Sequence, residues 1–377
     1  MLSSNIQAQD VMRNLFEETK IKGITLKNRF VRSSTWESMA TPEGYLTDQL
    51  MDVYKELAKG DVGLILTGYA FVTKEEQPSP RMMGIYDDSF IKDFRALTDM
   101  VHHYGSRIVL QIVYGGTQTR YRPEDRVIWG PSAVKEIGSG VVAKEMTLKE
   151  IRTLIKSFGD SALRTKSAGF DGVQIHCAHG YLLGQFLSPY HNRRADKYGG
   201  SIQNRARIII EIYEEIRNQV GRDFPVLIKI NAEDFVENGA TFDDCRFVCK
   251  ELSKRGIDAI EVSGGILAAA EEDRPSRPMI NSSQKEGYFA PYAAKIAEEN
   301  DVPIILVGGL RSPQVIERLL ETTQISYFSM ARPFLTEPDL VQRWHKGDLR
   351  RAKCVSCNRC REGEGNMCIF HRKSKEQ

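Results

Sequence analysis

Eight short apolar runs, each followed by a stretch of helical period, constrain this chain more than any other feature. The runs begin near residues 29, 62, 107, 172, 224, 256, 302 and 324 and are rich in Val, Ile and Leu. Strands apolar on both faces belong to a parallel sheet covered by helices. Helical patterns fit 47–59, 88–104, 147–168, 201–220, 241–255, 286–299 and 312–320, with a last one near 339–346. Thr47 is a candidate N-cap, and Thr147 with Glu150 makes a capping box. Eight strand–helix pairs predict an α/β fold, a single (β/α)8 TIM barrel. A long loop excursion without clear period, 114–146, follows the third strand, and the residues up to about Thr25 read as a leader. A doubly wound open sheet would need a G-x-G-x-x-G turn after its first strand, and the chain has none there.

Composition narrows the partners. Of 377 residues 41% are hydrophobic and 27% charged, as in an ordinary water-exposed globular domain. The net charge of +2 gives no bulk attraction to nucleic acid or to a membrane surface. No apolar run is as long as a membrane span, and the N-terminus lacks a signal-peptide core, so the expected location is cytoplasmic. Cys177, Cys245 and Cys249 fall in regular segments and are expected to be buried thiols. The expected division is a barrel domain over 1–348 and a Cys-rich C-terminal tail over 349–377.

Barrel sites lie at the carboxyl ends of the strands. Those positions hold Ser34 and Thr35 after strand one, Gly68 and Tyr69 after strand two, and Gln111 in strand three. His176, His179 and Tyr181 follow strand four, and Lys229 lies in strand five. Gly308 and Gly309 follow strand seven, and Ala331 and Arg332 follow strand eight. The last two places suit a phosphate: glycine lets the backbone approach and Arg332 adds charge. Lys229 and Gln111 are donors for a polar ring that gains negative charge, and His-x-x-His-x-Tyr suits polarising an oxygen and giving up a proton. Plainer readings stand beside these. The imidazoles could be structural or could ligate a metal. Lys229 could be a solvated strand-end cation, Arg332 could pair with Glu337 or Asp339, and Gly308-Gly309 could be only a turn.

The stretch HCAHGYLLGQFLSPYHNRRADKYGGSIQNR resembles the signature of the Old Yellow Enzyme, or NADH:flavin oxidoreductase, family. The likeness extends through LKNRFVRSS, GLILTGYA, VLQIVYGG, VPIILVGGLRSP and MARPFLTEPDL, and takes in the barrels of trimethylamine dehydrogenase and 2,4-dienoyl-CoA reductase. It implies one noncovalent FMN in the barrel mouth, with NADH or NADPH as reductant. Ser34, Thr35, Tyr69, Gln111, His176, Lys229, Gly308, Gly309, Ala331 and Arg332 would hold it. His176 and His179 would bind the oxygen of an electron-poor alkene, such as an α,β-unsaturated carbonyl, and Tyr181 would protonate it. Four positions depart from the pattern. Lys229 stands where relatives often have Arg, Trp36 and Ser38 replace a Cys and a Tyr, and Tyr69 replaces a small residue. Family members assemble variously, which leaves a homo-oligomer open.

Cys354, Cys357, Cys360 and Cys368 have metal-type spacing, C-x2-C-x2-C-x7-C. Larger family members carry a four-iron cluster after the barrel. The tail could hold an iron–sulfur cluster or a zinc, or keep four free thiols. A cluster would let a one-electron partner feed the flavin, so the alternative to an ene-reductase is a flavin electron-transfer component.

Overall fold

The computed structural model describes residues 13–373, and its central sheet closes on itself. The barrel strands are β1 (Phe30–Arg32), β2 (Leu64–Leu66), β3 (Arg107–Val113), β4 (Gly172–Cys177), β5 (Val226–Asn231), β6 (Ala259–Ser263), β7 (Ile304–Val307) and β8 (Tyr327–Met330). Each pairs in parallel with its sequence neighbours, and β8 pairs with β1. Helices α1 (Asp48–Lys59), α2 (Phe90–His103), α3 (Leu148–Ser167), α4 (Arg207–Val220), α5 (Phe242–Lys254), α6 (Ala290–Glu299), α7 (Pro313–Thr322) and α8 (Leu340–His345) alternate with the strands.

Local chemistry sets where the helices begin. The Thr47 hydroxyl accepts from the Leu50 N–H, and Thr147 with Glu150 forms the predicted capping box. Thr241 and Asp244 form a second box at α5. Each such cap stabilises its helix by about 1 kcal/mol.

The strands divide their side chains between two environments. Ile108, Leu110, Ile112, Ile175, Ile228 and Ile230 belong to the layer shared with the helices. Val31, Leu64, Leu66, Val109, Leu227, Ala259, Ile305 and Tyr327 form a separate apolar cluster with Ile21, Ile24 and Leu26. The last three come from an antiparallel hairpin, Thr19–Ile21 with Ile24–Leu26, which plugs the amino end of the barrel. Residues 19–25 are therefore not a leader. The hairpin sequences, TKI and ITL, mix apolar with polar or charged residues and so lack the apolar run by which the barrel strands were read. Leu15 of the same expected leader is buried in the core, and residues 1–12 lie outside the described residues.

The excursion after β3 is irregular apart from the short pair Trp129–Gly130 with Lys144–Glu145. Two further short helices, Leu182–Leu187 and Arg332–Thr336, directly follow β4 and β8. The tail returns over the carboxyl end of the barrel. The Ala352 N–H donates to the Arg311 carbonyl at 2.9 Å, and the Asn366 N–H donates to the Glu37 carbonyl at 2.6 Å. The Arg311 guanidinium donates to the Cys354 carbonyl and the Ser356 hydroxyl. No helix among the described residues is long and apolar enough to cross a membrane.

Candidate active site

A cavity of about 610 Å3 occupies the carboxyl end of the barrel, within the size range of ligand pockets. Of the strand-end positions, Ser34, Thr35, Tyr69, Gln111, His176, His179, Tyr181, Lys229, Gly308, Gly309, Ala331 and Arg332 line it, and Gly68 does not. Among the four predicted cysteines it is Cys360 that reaches it.

The floor is polar because strand register puts polar side chains in one layer. Lys229 pairs with His176 on one side and with Glu261 on the other, and Gln111 pairs with Gln174. Glu261 is the hub. Its Oε1 accepts from Lys229 Nζ at 3.2 Å, Ser33 Oγ at 2.8 Å and Ser329 Oγ at 2.9 Å. Its Oε2 accepts from Gln174 Nε2 at 3.0 Å. Lys229 also donates to Ser33 at 2.8 Å and is buried, so it is not a solvated strand-end cation. A buried charge is tolerated only with such pairing.

This network orients Gln111. The carboxylate of Glu261 can only accept, so Gln174 must turn its amide N–H toward it and its Oε1 toward Gln111. Gln111 Nε2 then donates to Gln174 Oε1 at 2.7 Å. Gln111 Oε1 is left buried without a partner. Gln111 therefore brings the cavity an unpartnered acceptor, while its Nε2 keeps a second N–H beside the one given to Gln174. Ser34 Oγ is likewise buried and unpartnered. Each orphan costs about 1–3 kcal/mol unless a ligand pairs with it.

At one end the backbone turns through Gly308 (φ +139°) and Gly309 (φ +70°). A Cβ on Gly309 would stand 2.7 Å from the Tyr288 ring, so both conformation and space demand glycine. Arg311 and Arg332 border this end. Arg332 does not pair with Glu337 or Asp339. Its Nη1 donates to the Arg277 carbonyl at 2.9 Å and to Asn358 of the tail, while Glu337 takes Arg343.

At the other end stand two imidazoles and two phenols. The His176 ring lies 4.7 Å from that of Tyr181 and 5.4 Å, edge on, from that of His179. Burial holds His176 far below the usual imidazole range, and the Lys229 ammonium adds to this. Burial, Lys229, His176 and Arg361 do the same to His179. Both rings are neutral. The Ala178 N–H donates to His176 Nδ1 at 3.2 Å, so the ring proton sits on Nε2. His179 adopts φ +59° and places Nε2 2.7 Å from Ser263 Oγ, which leaves Nδ1 as its other polar atom. Burial, then the Tyr69 phenol, pushes Tyr181 well above the ordinary phenol range, so it remains protonated. The Tyr69 ring lies 5.4 Å from Tyr181 and 6.0 Å from His176. Tyr69 thus lines the cavity between His176 and Tyr181.

These residues fit FMN. The orphaned Gln111 Oε1 suits a ring N–H, the polar floor suits the ring's edge, and the glycine turn with Arg311 and Arg332 suits a phosphate. The cysteines do not yet fit a metal. None of the seven is in a disulfide, and no three His, Cys, Asp or Glu among the described residues converge as a metal cage. Cys354, Cys357 and Cys368 are near enough to Cys360 to act on it; with burial the larger cause, they push it up to about 11. No step is routed through them.

Sequence reasoning missed Glu261, Gln174, Ser33, Arg311 and the tail residues. A glutamate inside the apolar run GIDAIEVSGG was the available signal for the first. Asn358, Arg361 and Asn366 line the cavity from a segment whose cysteine spacing was read but whose other residues follow no period.

A family model described as NADH:flavin oxidoreductase / NADH oxidase matches residues 14–350. An NADH oxidase of Thermoanaerobacter brockii is 33% identical over 349 residues, covering 92% of this chain and 53% of that protein. An NADPH dehydrogenase of Bacillus subtilis is 33% identical over 327 residues, 86% of this chain and 92% of that one. A cinnamate reductase of Clostridium sporogenes is 31% identical, over 93% of this chain and 55% of its own length. The chain spans about half the length of the first and last of these relatives. A solved complex of 2-naphthoyl-CoA reductase has a TM-score of 0.85 at 26% identity, covering 92% of this chain and 54% of that one. The Old Yellow Enzyme homologue from Zymomonas mobilis shares the fold, with a TM-score of 0.77 at 24% identity over 90% of this chain and 94% of that one.

Proposed function

The chain belongs to the NADH:flavin oxidoreductase / NADH oxidase family, and from that premise we propose that it is an FMN-dependent ene-reductase. The reading is that NADH or NADPH is the reductant and an electron-poor alkene, such as an α,β-unsaturated carbonyl, is the substrate. The observation that carries it is the meeting of a neutral His176 with Nε2–H free, His179 and a protonated Tyr181 above a polar floor in one cavity. When bound, FMN supplies a two-electron carrier that takes hydride from the nicotinamide and yields it to the alkene β-carbon.

The protein's part is positioning and proton supply. Lys229 and Gln111 would face the flavin's polar edge, Ser34 and Thr35 its near side, and Gly308, Gly309, Ala331, Arg311 and Arg332 its phosphate. Lys229, fixed by Glu261 and Ser33, would stabilise negative charge gained on the ring. His176 Nε2–H, with His179, would polarise the substrate oxygen, and one such donor is worth roughly 10²–10³-fold in rate. Tyr181 would deliver the proton to the α-carbon, with Tyr69 holding its hydroxyl in place. General acid help of this kind is worth roughly 10²–10⁴-fold.

The barrel (1–348) and the tail (349–377) would act as one unit in a reducing cytoplasm, where the tail closes the mouth. The alternative is a flavin electron-transfer component fed through the tail cysteines, and one experiment separates the two. The purified yellow protein is reduced without oxygen by one equivalent of NADPH or NADH and mixed with 2-cyclohexenone. Return of the oxidised flavin spectrum supports the ene-reductase. A flavin that reduces but that no enone reoxidises overturns it.

A further inference from the structure

Six cations line the cavity, namely Arg120, Lys229, Arg274, Arg311, Arg332 and Arg361, and no Asp or Glu is among its described lining residues. Part of that charge is already answered. Lys229 has Glu261 beneath it. Arg311 and Arg332 border the glycine turn at the phosphate end and are tied to the tail. Arg274 gives its Nε to the Ala269 carbonyl at 3.1 Å.

Arg120 and Arg361 stand apart. They come from segments distant in sequence, the loop after β3 and the tail, yet both reach the end of the cavity where Tyr181 lies. Both are exposed at the mouth. The Arg361 guanidinium lies 5.9 Å from the Trp36 ring, itself part of the cavity wall. Both positive charges act on the Tyr181 phenol, and that of Arg361 also acts on His179. A neutral enone offers the two guanidinium groups beside Tyr181 no charge to pair with. They form charge-assisted hydrogen bonds to an anion.

We propose that the preferred substrate is an activated alkene bearing a carboxylate, which Arg120 and Arg361 bind while the histidines take the activating carbonyl. The proposal rests on the ene-reductase reading for the identity of the reaction. It makes the tail a specificity element. Asn366 on one side, bonded to the backbone of Trp36 and Glu37, and Asn358 on the other, bonded to Arg332 and Ser276, hold the segment that carries Arg361.

The test is calorimetric binding to the oxidised holoprotein, with an unreactive pair of probes: 4-acetylbenzoate and its methyl ester. The acid is expected to bind at least tenfold tighter than the ester. Arg361→Ala and Arg120→Ala are each expected to weaken the acid tenfold or more and leave the ester within twofold. Arg361→Lys should recover part of the loss, and added salt should weaken only the acid. An ester that binds as tightly as the acid, or variants that weaken both probes alike, would overturn the proposal. If the acid binds in this Arg-dependent way while cyclohexenone fails to reoxidise the reduced protein, the carboxylate site stands and the ene-reductase reading falls.

Discussion

Lys229 and Glu261 face each other across β5 and β6 with 3.2 Å between Nζ and Oε1, and neither side chain is more than 4% exposed. Their register neighbour His176 lies on the far side of Lys229. The ammonium lies beneath the proposed flavin site and adds to the burial that keeps the imidazole beside it neutral. Glu261→Ala leaves a buried ammonium without its counter-charge, so it should cost about 3–5 kcal/mol of stability. Urea unfolding measures this, and a loss under 1 kcal/mol would contradict the hub role given to Glu261.

Gly309→Ala should weaken FMN binding. The residue adopts φ +70°, and the added methyl would meet Tyr288. Strain of this kind costs of order 1–3 kcal/mol, or about 5–150-fold in affinity. Flavin released on dilution, followed by its fluorescence, reports the change. Unaltered retention would contradict the cradle.

Tyr181→Phe should separate the two half-reactions. Reduction by nicotinamide needs no phenol and should stay within a fewfold of wild type. Reoxidation by an enone should slow by roughly 10²–10⁴-fold. Because burial and Tyr69 keep Tyr181 protonated, wild-type reoxidation should show no loss attributable to phenol ionisation up to about pH 9. Stopped-flow absorbance resolves both phases, and equal slowing of the two would contradict the assignment.

Glu76 gives a pH-dependent stability. It is buried against Thr119, and burial raises its carboxyl from 4.5 to about 7. Between those values the folded state binds more protons than the unfolded, so stability falls as pH rises from about 4.5 to 7. The difference of 7 − 4.5 amounts to at most about 3 kcal/mol. Glu76→Gln should remove that slope and stabilise the protein at pH 8. Unfolding curves at pH 5 and 8 check it, and a slope unchanged in the variant would contradict it.

The barrel was legible because buried parallel strands must be apolar along their length, and β3 was read at the bounds observed. The placement of His176, His179, Tyr181 and Lys229 followed from the rule that barrel sites lie at strand carboxyl ends. Three things were not legible, each for a physical reason. The hairpin strands TKI and ITL mix polar or charged residues with apolar ones and present no apolar run. The donor or acceptor role of Gln111 depends on a chain of partners through Gln174 to Glu261, which only register reveals. Arg361 and Asn358 join the site because the tail folds back over it, a long-range contact with no local pattern.

The central claim is that a neutral His176 presents Nε2–H to a ligand lying over the flavin. Titrating oxidised holoprotein with a phenol such as 4-hydroxybenzaldehyde tests it directly. A bound phenolate oxygen held by His176 against the flavin should produce a long-wavelength charge-transfer band. His176→Ala should keep its flavin and lose that band. A band of normal intensity in His176→Ala, or none in the wild-type protein, would contradict the account.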